Sequence, residues 1–344
     1  MSTMPNTLLA ARKSAHIDVC LRESVEPAPS SFRRVHLQPK ALPELNRADI
    51  QTSYEWLKKE LALPFYIGSM TGGVELAGTI NRHLAVAAQN ARVGLALGST
   101  RIILRDKSAY ESFAVRNLCP DVPLLGNIGA VQLVNGVTVA DIKKIVERLE
   151  LDGMFLHLNV VQEGMHDHGD QSWSGIFQAI GELVDALPVP VFVKEVGCGM
   201  DSTTASTLLQ LGVRGIDVAG RGGTSWPLVE RLVAERSEIQ KSSAFDDWGI
   251  DTVDALLACR EAGLSSYYSS GGVRTGVDII KSLVLGADLV SAALPFLAGA
   301  VESAEAVEQV LHNLHEEMTL AMLAVGVGSI KELKRVQFQI ENGR

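Results

Sequence analysis

Residues 190–218 read PVFVKEVGCGMDSTTASTLLQLGVRGIDV, and this stretch decides the fold. The apolar run 190–195 suits a strand buried on both faces, 202–211 has helical spacing, and 214–218 is a second short apolar run. Strand, helix and strand in so short a span make a βαβ unit. The same rhythm extends in both directions. Strands are predicted at 64–69, 94–98, 122–126, 152–158, 190–195, 214–218, 266–270 and 288–292. Helices are predicted between them, at about 78–92, 107–117, 139–149, 173–186, 202–211, 251–262 and 275–285, with a last one near 302–325. Eight alternating units predict a closed (β/α)8 TIM barrel, an α/β fold; an open doubly wound sheet is the alternative, since periodicity does not report closure.

Residues 1–60 break the rhythm. They are polar, carry Pro27, Pro29, Pro39 and Pro43, and are expected to form an N-terminal extension with short helices at best, ahead of a barrel domain at 61–344. The connection 219–250 is far longer than such loops need and reads either as an active-site flap or as a surface insertion with no role.

Composition narrows the function. A formal charge of −9 argues against a nucleic-acid or anionic-membrane partner, so an anionic ligand must meet a local cationic pocket. Hydrophobic content of 47% with 5% aromatics describes a core of Val, Leu, Ile and Ala. Cys20, Cys119, Cys198 and Cys259 show no paired or metal-binding spacing, and no stretch is apolar for long enough to span a membrane. The expectation is a soluble, cytoplasmic protein acting on a small molecule, with a homo-oligomer as the common case for such enzymes.

In a barrel the C-terminal ends of all strands share one face, so polar groups there converge. Met70, Thr71 and Gly72 follow strand one, Ser99, Thr100 and Arg101 strand two, and Asn127 strand three. His157 and Asn159, two apart on strand four, face one side and enter one pocket with Gln162; together they are the candidate catalytic group, although a hydrogen-bonded core histidine is the plainer reading of His157 alone. Glu163 suits a Mg2+ whose shell substrate phosphates complete, or is a solvated loop charge. His166 and His168 suggest a flexible polar loop rather than a transition-metal site.

Lys194 inside an apolar run needs an anion or an electron-rich ring such as a flavin pyrimidine edge, or else an internal ion pair, for instance with Glu195. Gly220 to Thr224 and Gly271 to Arg274 are glycine-rich turns that let backbone N–H groups approach a phosphate, although Gly271 to Arg274 taken alone also reads as a plain tight turn. Arg12, Lys13 and His16 cluster in an acidic chain, either as a solvated helix start or, with Arg101, as a diphosphate clamp.

The strings RKxxH at 12–16, MTGG at 70–73, HLNxxQE at 157–163, GRGGTSW at 220–226 and SGGVRTG at 270–276 resemble the type 2 isopentenyl diphosphate isomerases in order and spacing, over nearly the whole chain. The resemblance implies an FMN-binding barrel that interconverts isopentenyl and dimethylallyl diphosphate with no net redox change. It further implies reduced FMN as an acid/base cofactor, Mg2+, and NADPH as reductant. Arg12, Lys13, Ser99 and Arg101 would bind the diphosphate, Gln162 would contact the reacting hydrocarbon and Glu163 would hold Mg2+. Met70, Thr71, Gly72, Ser99, Asn127, Lys194 and Thr224 would surround the flavin. Gly272, Val273, Arg274, Ala292 and Ala293 would hold its phosphate.

Two departures stand out. Thr100 and Ala219 replace the Gln and Ser common in the family, which puts one substrate contact and one flavin hydrogen bond in question. The alternatives are an FMN-dependent 2-hydroxy acid oxidase or dehydrogenase and a flavin- or phosphate-binding sensor barrel. The first needs a His base, and none lies between Thr224 and Ser265.

Overall fold

The computed structural model describes residues 6–166 and 169–341. Eight short parallel strands close into a barrel: β1 (Phe65–Ile67), β2 (Gly94–Ala96), β3 (Leu124–Gly129), β4 (Gly153–His157), β5 (Val191–Lys194), β6 (Ile216–Asp217), β7 (Tyr267–Ser269) and β8 (Leu289–Ala292). Each pairs with its neighbour in sequence, and β8 returns to β1 through Val290 opposite Phe65. All eight predicted strands are present, and closure excludes the open sheet. The strands are almost wholly buried, as runs covered on one face by helices and filled on the other must be.

One end of the barrel is filled by an aromatic layer. Tyr66, Phe155, Phe192 and Tyr268 fill the interior, with Tyr66 stacked on Phe155 at 5.5 Å between ring centroids. An antiparallel hairpin, Tyr54–Trp56 with Lys59–Leu61, sets Trp56 against this layer, 5.4 Å from Tyr66 and 5.8 Å from Phe192. That end is plugged, and the opposite mouth, where the strands terminate, remains for chemistry.

Two expectations need correction. Residues 107–117 form no α-helix; Lys107–Ser112 and Arg116–Leu118 are separate 3-10 turns. The extension is not limited to short helices, since α1 (Asn6–Arg22) runs for 17 residues. Its apolar stripe is thin because Ile17 and Val19 are buried while Lys13 and His16 turn toward the barrel mouth and Arg12 toward Glu230. A helix whose polar side chains meet protein instead of water leaves little amphipathic signal. Further along, Val35–Leu37 pairs antiparallel with Phe338–Ile340, joining the extension to the end of the chain.

The remaining helices are α2 (Glu75–Ala91), α3 (Val139–Leu149), α4 (Val160–Met165), α5 (Ile176–Ala186), α6 (Ser202–Gln210), α7 (Trp226–Glu235), α8 (Thr252–Glu261), α9 (Gly276–Val284), α10 (Leu294–Glu302) and α11 (Ala304–Val325). The long 219–250 connection thus contains a full helix, α7, started by Ser225 as N-cap with Pro227 in the first turn. Val229 of α7 packs with Val19 of α1 and Val25, so α1 and α7 form one wall over the barrel mouth. Among the described residues no helix is long and apolar enough to cross a membrane.

Candidate active site

A cavity opens at the C-terminal ends of the strands, under α1 and α7. Of the residues singled out in the sequence, Met70, Thr71, Ser99, Asn127, His157, Gln162 and Lys194 line it, with Lys13 and His16 above and Thr224, Gly272, Val273, Arg274, Ala292 and Ala293 at one side. Gly72, Thr100, Arg101, Asn159, Glu163 and Arg12 stand behind this wall. His168 lies outside the described residues.

On the floor, strand register sets His157 beside Lys194 and Lys194 beside Asp217. His157 Nδ1 lies 2.6 Å from Asn127 Oδ1, and Asn127 Nδ2 donates to Ser69 Oγ at 2.7 Å. Burial, with Lys194 and Arg101 adding repulsion, holds the imidazole down at about 3, so it is neutral and Nδ1 is the donor. Thr100 Oγ1 donates to the Asn127 carbonyl at 2.8 Å. The residue that departs from the family pattern therefore braces Asn127 from behind.

Lys194 is buried and donates from Nζ to the Glu195 carbonyl at 2.5 Å. Burial pulls its ammonium down while Asp217 and Glu195 push it up. The Glu195 carboxylate turns away from it: Oε2 accepts from the backbone N–H groups of Val196, Gly197 and Cys198 at 2.6, 2.7 and 2.5 Å. Asp217, fully buried, accepts from Tyr66, Ser270 and the Ala219 N–H.

At the β6 and β7 ends two glycine turns interlock. Gly271 and Gly272 have φ of +94° and +80°, and a Cβ on either would fall 2.0 and 2.5 Å from the carbonyls of Gly220 and Gly222. Only glycine fits, and the turn leads into α9, capped by Thr275 and Asp278. The cradle fits a phosphate at a helix N-terminus, and Lys194 and Asn127 on the floor fit a polar ring edge. Arg274 needs a refinement, because its backbone N–H is already given to Asp278 Oδ2 at 3.0 Å. Only its side chain is left to address an anion.

Above the floor, one carboxylate that the sequence did not bring forward organises the side under α1 and α7. Glu230 of α7, 4% exposed, takes Arg12 NH2 at 2.6 Å, Gln162 Nε2 at 2.9 Å and His16 Nε2 at 3.1 Å, all on Oε1. His16 also packs edge-on against Trp226. Lys13 Nζ donates to the Gly72 carbonyl at 2.5 Å, and burial brings it down to about 8. The apolar lining comes from Ile17, Cys20, Trp226, Leu294 and Leu297.

Behind Gln162, the Asn159 amide donates to Gln162 Oε1 and Glu163 Oε1, both at 3.0 Å, and its own Oδ1 is buried with no hydrogen-bond partner. Glu163 Oε2 accepts from the Asp170 N–H at 2.9 Å, while the Asp170 carboxylate holds Arg101 and Gln132. Among the described residues there is no cluster of three His, Cys, Asp or Glu able to cage a metal ion. One carboxylate beside an unpartnered amide oxygen fits an ion that completes its shell with substrate phosphates and water.

Comparison with known proteins agrees with this arrangement. The family model described as FMN-dependent dehydrogenase matches residues 131–339. An isopentenyl-diphosphate delta-isomerase of Paracoccus zeaxanthinifaciens is 41% identical over 333 residues, covering 95% of this chain and 95% of the relative. The isomerase of Rickettsia bellii (strain RML369-C) is 41% identical over 334 residues, covering 96% and 98%. Among solved structures, a mutant of the active chimera of (S)-mandelate dehydrogenase superposes with a TM-score of 0.68 at 18% identity, covering 98% of each chain. A mutant flavocytochrome b2 with pyruvate bound gives 0.69 at 18%, covering 97% of this chain and 85% of the other. These structural likenesses carry the fold alone, whereas the sequence similarity runs the length of both chains: the protein belongs to the type 2 isopentenyl-diphosphate delta-isomerases.

Proposed function

We propose that the protein interconverts isopentenyl diphosphate and dimethylallyl diphosphate for isoprenoid biosynthesis, at the barrel mouth, with FMN, Mg2+ and NADPH. The observation that carries this reading is the join at Glu230: cationic α1 and the Gln162 amide meet on one carboxylate, beside an apolar wall and above the glycine cradle. A diphosphate would engage Arg12, Lys13, His16, Ser99 and Arg101 and place its short hydrocarbon against Trp226 and Leu297. Glu163 would hold Mg2+ with Asn159 beside it. Gly272, Val273 and Arg274 with Ala292 and Ala293 would hold the FMN phosphate; Met70, Thr71, Gly72, Asn127, Lys194 and Thr224 would orient its ring. When bound and reduced, FMN supplies a proton-exchanging, electron-rich face for the allylic shift, and NADPH serves only to keep it reduced.

The protein side does the positioning. Neutral His157 and Asn127 keep the floor rigid, Gln162 is aimed by Asn159 and Glu230, and α1 with α7 excludes water. A 2-hydroxy acid oxidase is less well supported, since the segment from Thr224 to Ser265 holds no histidine base. The free cysteines suit a reducing, cytoplasmic setting, and a homo-oligomer is the form expected of such enzymes.

The deciding experiment incubates purified protein with isopentenyl diphosphate, FMN, Mg2+ and either NADPH or dithionite. Dimethylallyl diphosphate should accumulate with both reductants and without stoichiometric NADPH loss. Oxidation of a 2-hydroxy acid with no isomerisation would overturn the reading.

A further inference from the structure

The strap that follows α1 runs across the glycine cradle. The Val25 carbonyl accepts from the Ser225 N–H at 2.9 Å, Ser31 Oγ from the Val253 N–H at 3.2 Å, and the Phe32 carbonyl from Lys281 Nζ at 2.8 Å. Ser30 sits so close to Gly222 that a Cβ there would lie 3.2 Å from the Ser30 Cα. Between these ties the Glu26 carboxylate pairs with the Arg274 guanidinium, about a third of each side chain being exposed. The Arg274 backbone N–H goes to Asp278 and NH1 donates to the Val273 carbonyl at 2.6 Å, so the remainder of the guanidinium is what this residue offers to an anion at this edge of the cradle, and there it pairs with a carboxylate.

We propose that Glu26 is a built-in competitor for the phosphate of the flavin: its carboxylate and the phosphate address the same Arg274 guanidinium, and the carboxylate is displaced when FMN binds. The inference rests on FMN binding at this cradle. A phosphate brought to the guanidinium that Glu26 pairs with meets the repulsion of that carboxylate, and at separations of a few ångströms even a well-screened pair of like charges is worth about a factor of ten in an equilibrium. The strap is tied on both sides of Glu26, so the displaced carboxylate swings outward while the backbone stays seated. The device sets how strongly the phosphate contributes to flavin affinity. It tunes selection between a phosphorylated flavin and riboflavin.

The test titrates flavin-free protein with FMN and with riboflavin, following quenching of flavin fluorescence, for wild type, Glu26→Gln and Glu26→Ala. Both variants should bind FMN roughly tenfold tighter, the equivalent of one such repulsion removed, with riboflavin affinity unchanged. FMN affinity that is unchanged or weaker would overturn the proposal, as would equal tightening of both flavins. Loss of both flavins would also overturn it, since the carboxylate would then be needed to build the strap. If wild type binds no FMN, the cofactor reading itself fails, an outcome distinct from FMN binding without the Glu26 effect.

Discussion

Arg12 and Glu230 are 218 residues apart in sequence and 2.6 Å apart in space, and the same carboxylate oxygen also receives Gln162. Burial would push the Glu230 carboxyl up, but His16 and Arg12 together hold it well below the usual range, so it is the charged form that they favour. Glu230→Gln keeps the shape and removes the charge. It should cost about 3 kcal/mol of stability by stranding a buried cation, and it should free Arg12 for an anionic substrate while loosening Gln162. Steady-state kinetics should show kcat lowered at least tenfold with KM not raised. A raised KM at unchanged kcat would mean that Glu230 serves binding alone.

His157 carries a pH signature. Its folded value of about 3 lies below the ordinary 6.5, so the unfolded chain takes up the proton first. Its contribution is therefore complete above 6.5 and is lost progressively as pH falls toward 3. Glu195 works in the opposite sense: burial pushes its carboxyl up from 4.5 to about 7, and the stability it adds below 4.5 is lost progressively as pH rises toward 7. The two oppose one another in the overlapping window, so wild type alone is uninformative. Urea melts of His157→Gln against wild type should show a smaller acid-side loss in the variant. Identical slopes would mean that the imidazole is protonated in the folded protein.

The strands and the cradle were legible in the sequence because their signals are local: runs of buried apolar residues, and glycines where two turns touch. Lys194 was legible as an anomaly, a cation within VFVK, but its partner was not. The internal pair weighed for it was Glu195, and the structure gives Lys194 the Glu195 carbonyl while the carboxylate faces its own loop. Glu230 and Asp170 were invisible because nothing near them in sequence names Arg12 or Arg101 as a neighbour. α1 was underestimated for the reason that makes it useful: its polar face is spent on the cavity.

The Glu195 carboxylate shapes the loop after β5 by gathering three consecutive N–H groups, and Gly197 in that loop lies against the Thr224 carbonyl, where a Cβ would come within 2.5 Å. Glu195→Ala leaves those donors without an acceptor. Each unsatisfied buried N–H costs about 1–3 kcal/mol, less where water enters, so a total on the order of 3 kcal/mol is expected. The loop should loosen against Thr224, and FMN should be retained less well through gel filtration. Retention equal to wild type, with the stability loss present, would separate the loop from the cofactor.

The last prediction concerns the barrel interior below Lys194. Tyr66 donates to Asp217 Oδ2 at 2.5 Å, while Ser270 Oγ and the Ala219 N–H meet Oδ1 at 2.7 and 3.1 Å, and Tyr66 and Asp217 are fully buried. Ala219 has φ of +37°, a left-handed conformation that is strained for a residue with a Cβ, and Asp217 is the group that pins it at the entrance to the Gly220 turn. Tyr66→Phe keeps the ring stacked on Phe155 and deletes one donor to a buried carboxylate, which should cost about 1–3 kcal/mol. Ser270→Ala should cost a similar amount. Both donors serve one carboxylate, through its two oxygens, so the double variant should depart from additivity by about 0.5 kcal/mol or more. Urea unfolding should register these losses as a lower midpoint at constant m, because the surface exposed on unfolding does not change. A Tyr66→Phe midpoint equal to wild type would show that Asp217 is satisfied without the hydroxyl, and the case for this carboxylate as the anchor of the Ala219 turn would rest on Ser270 alone.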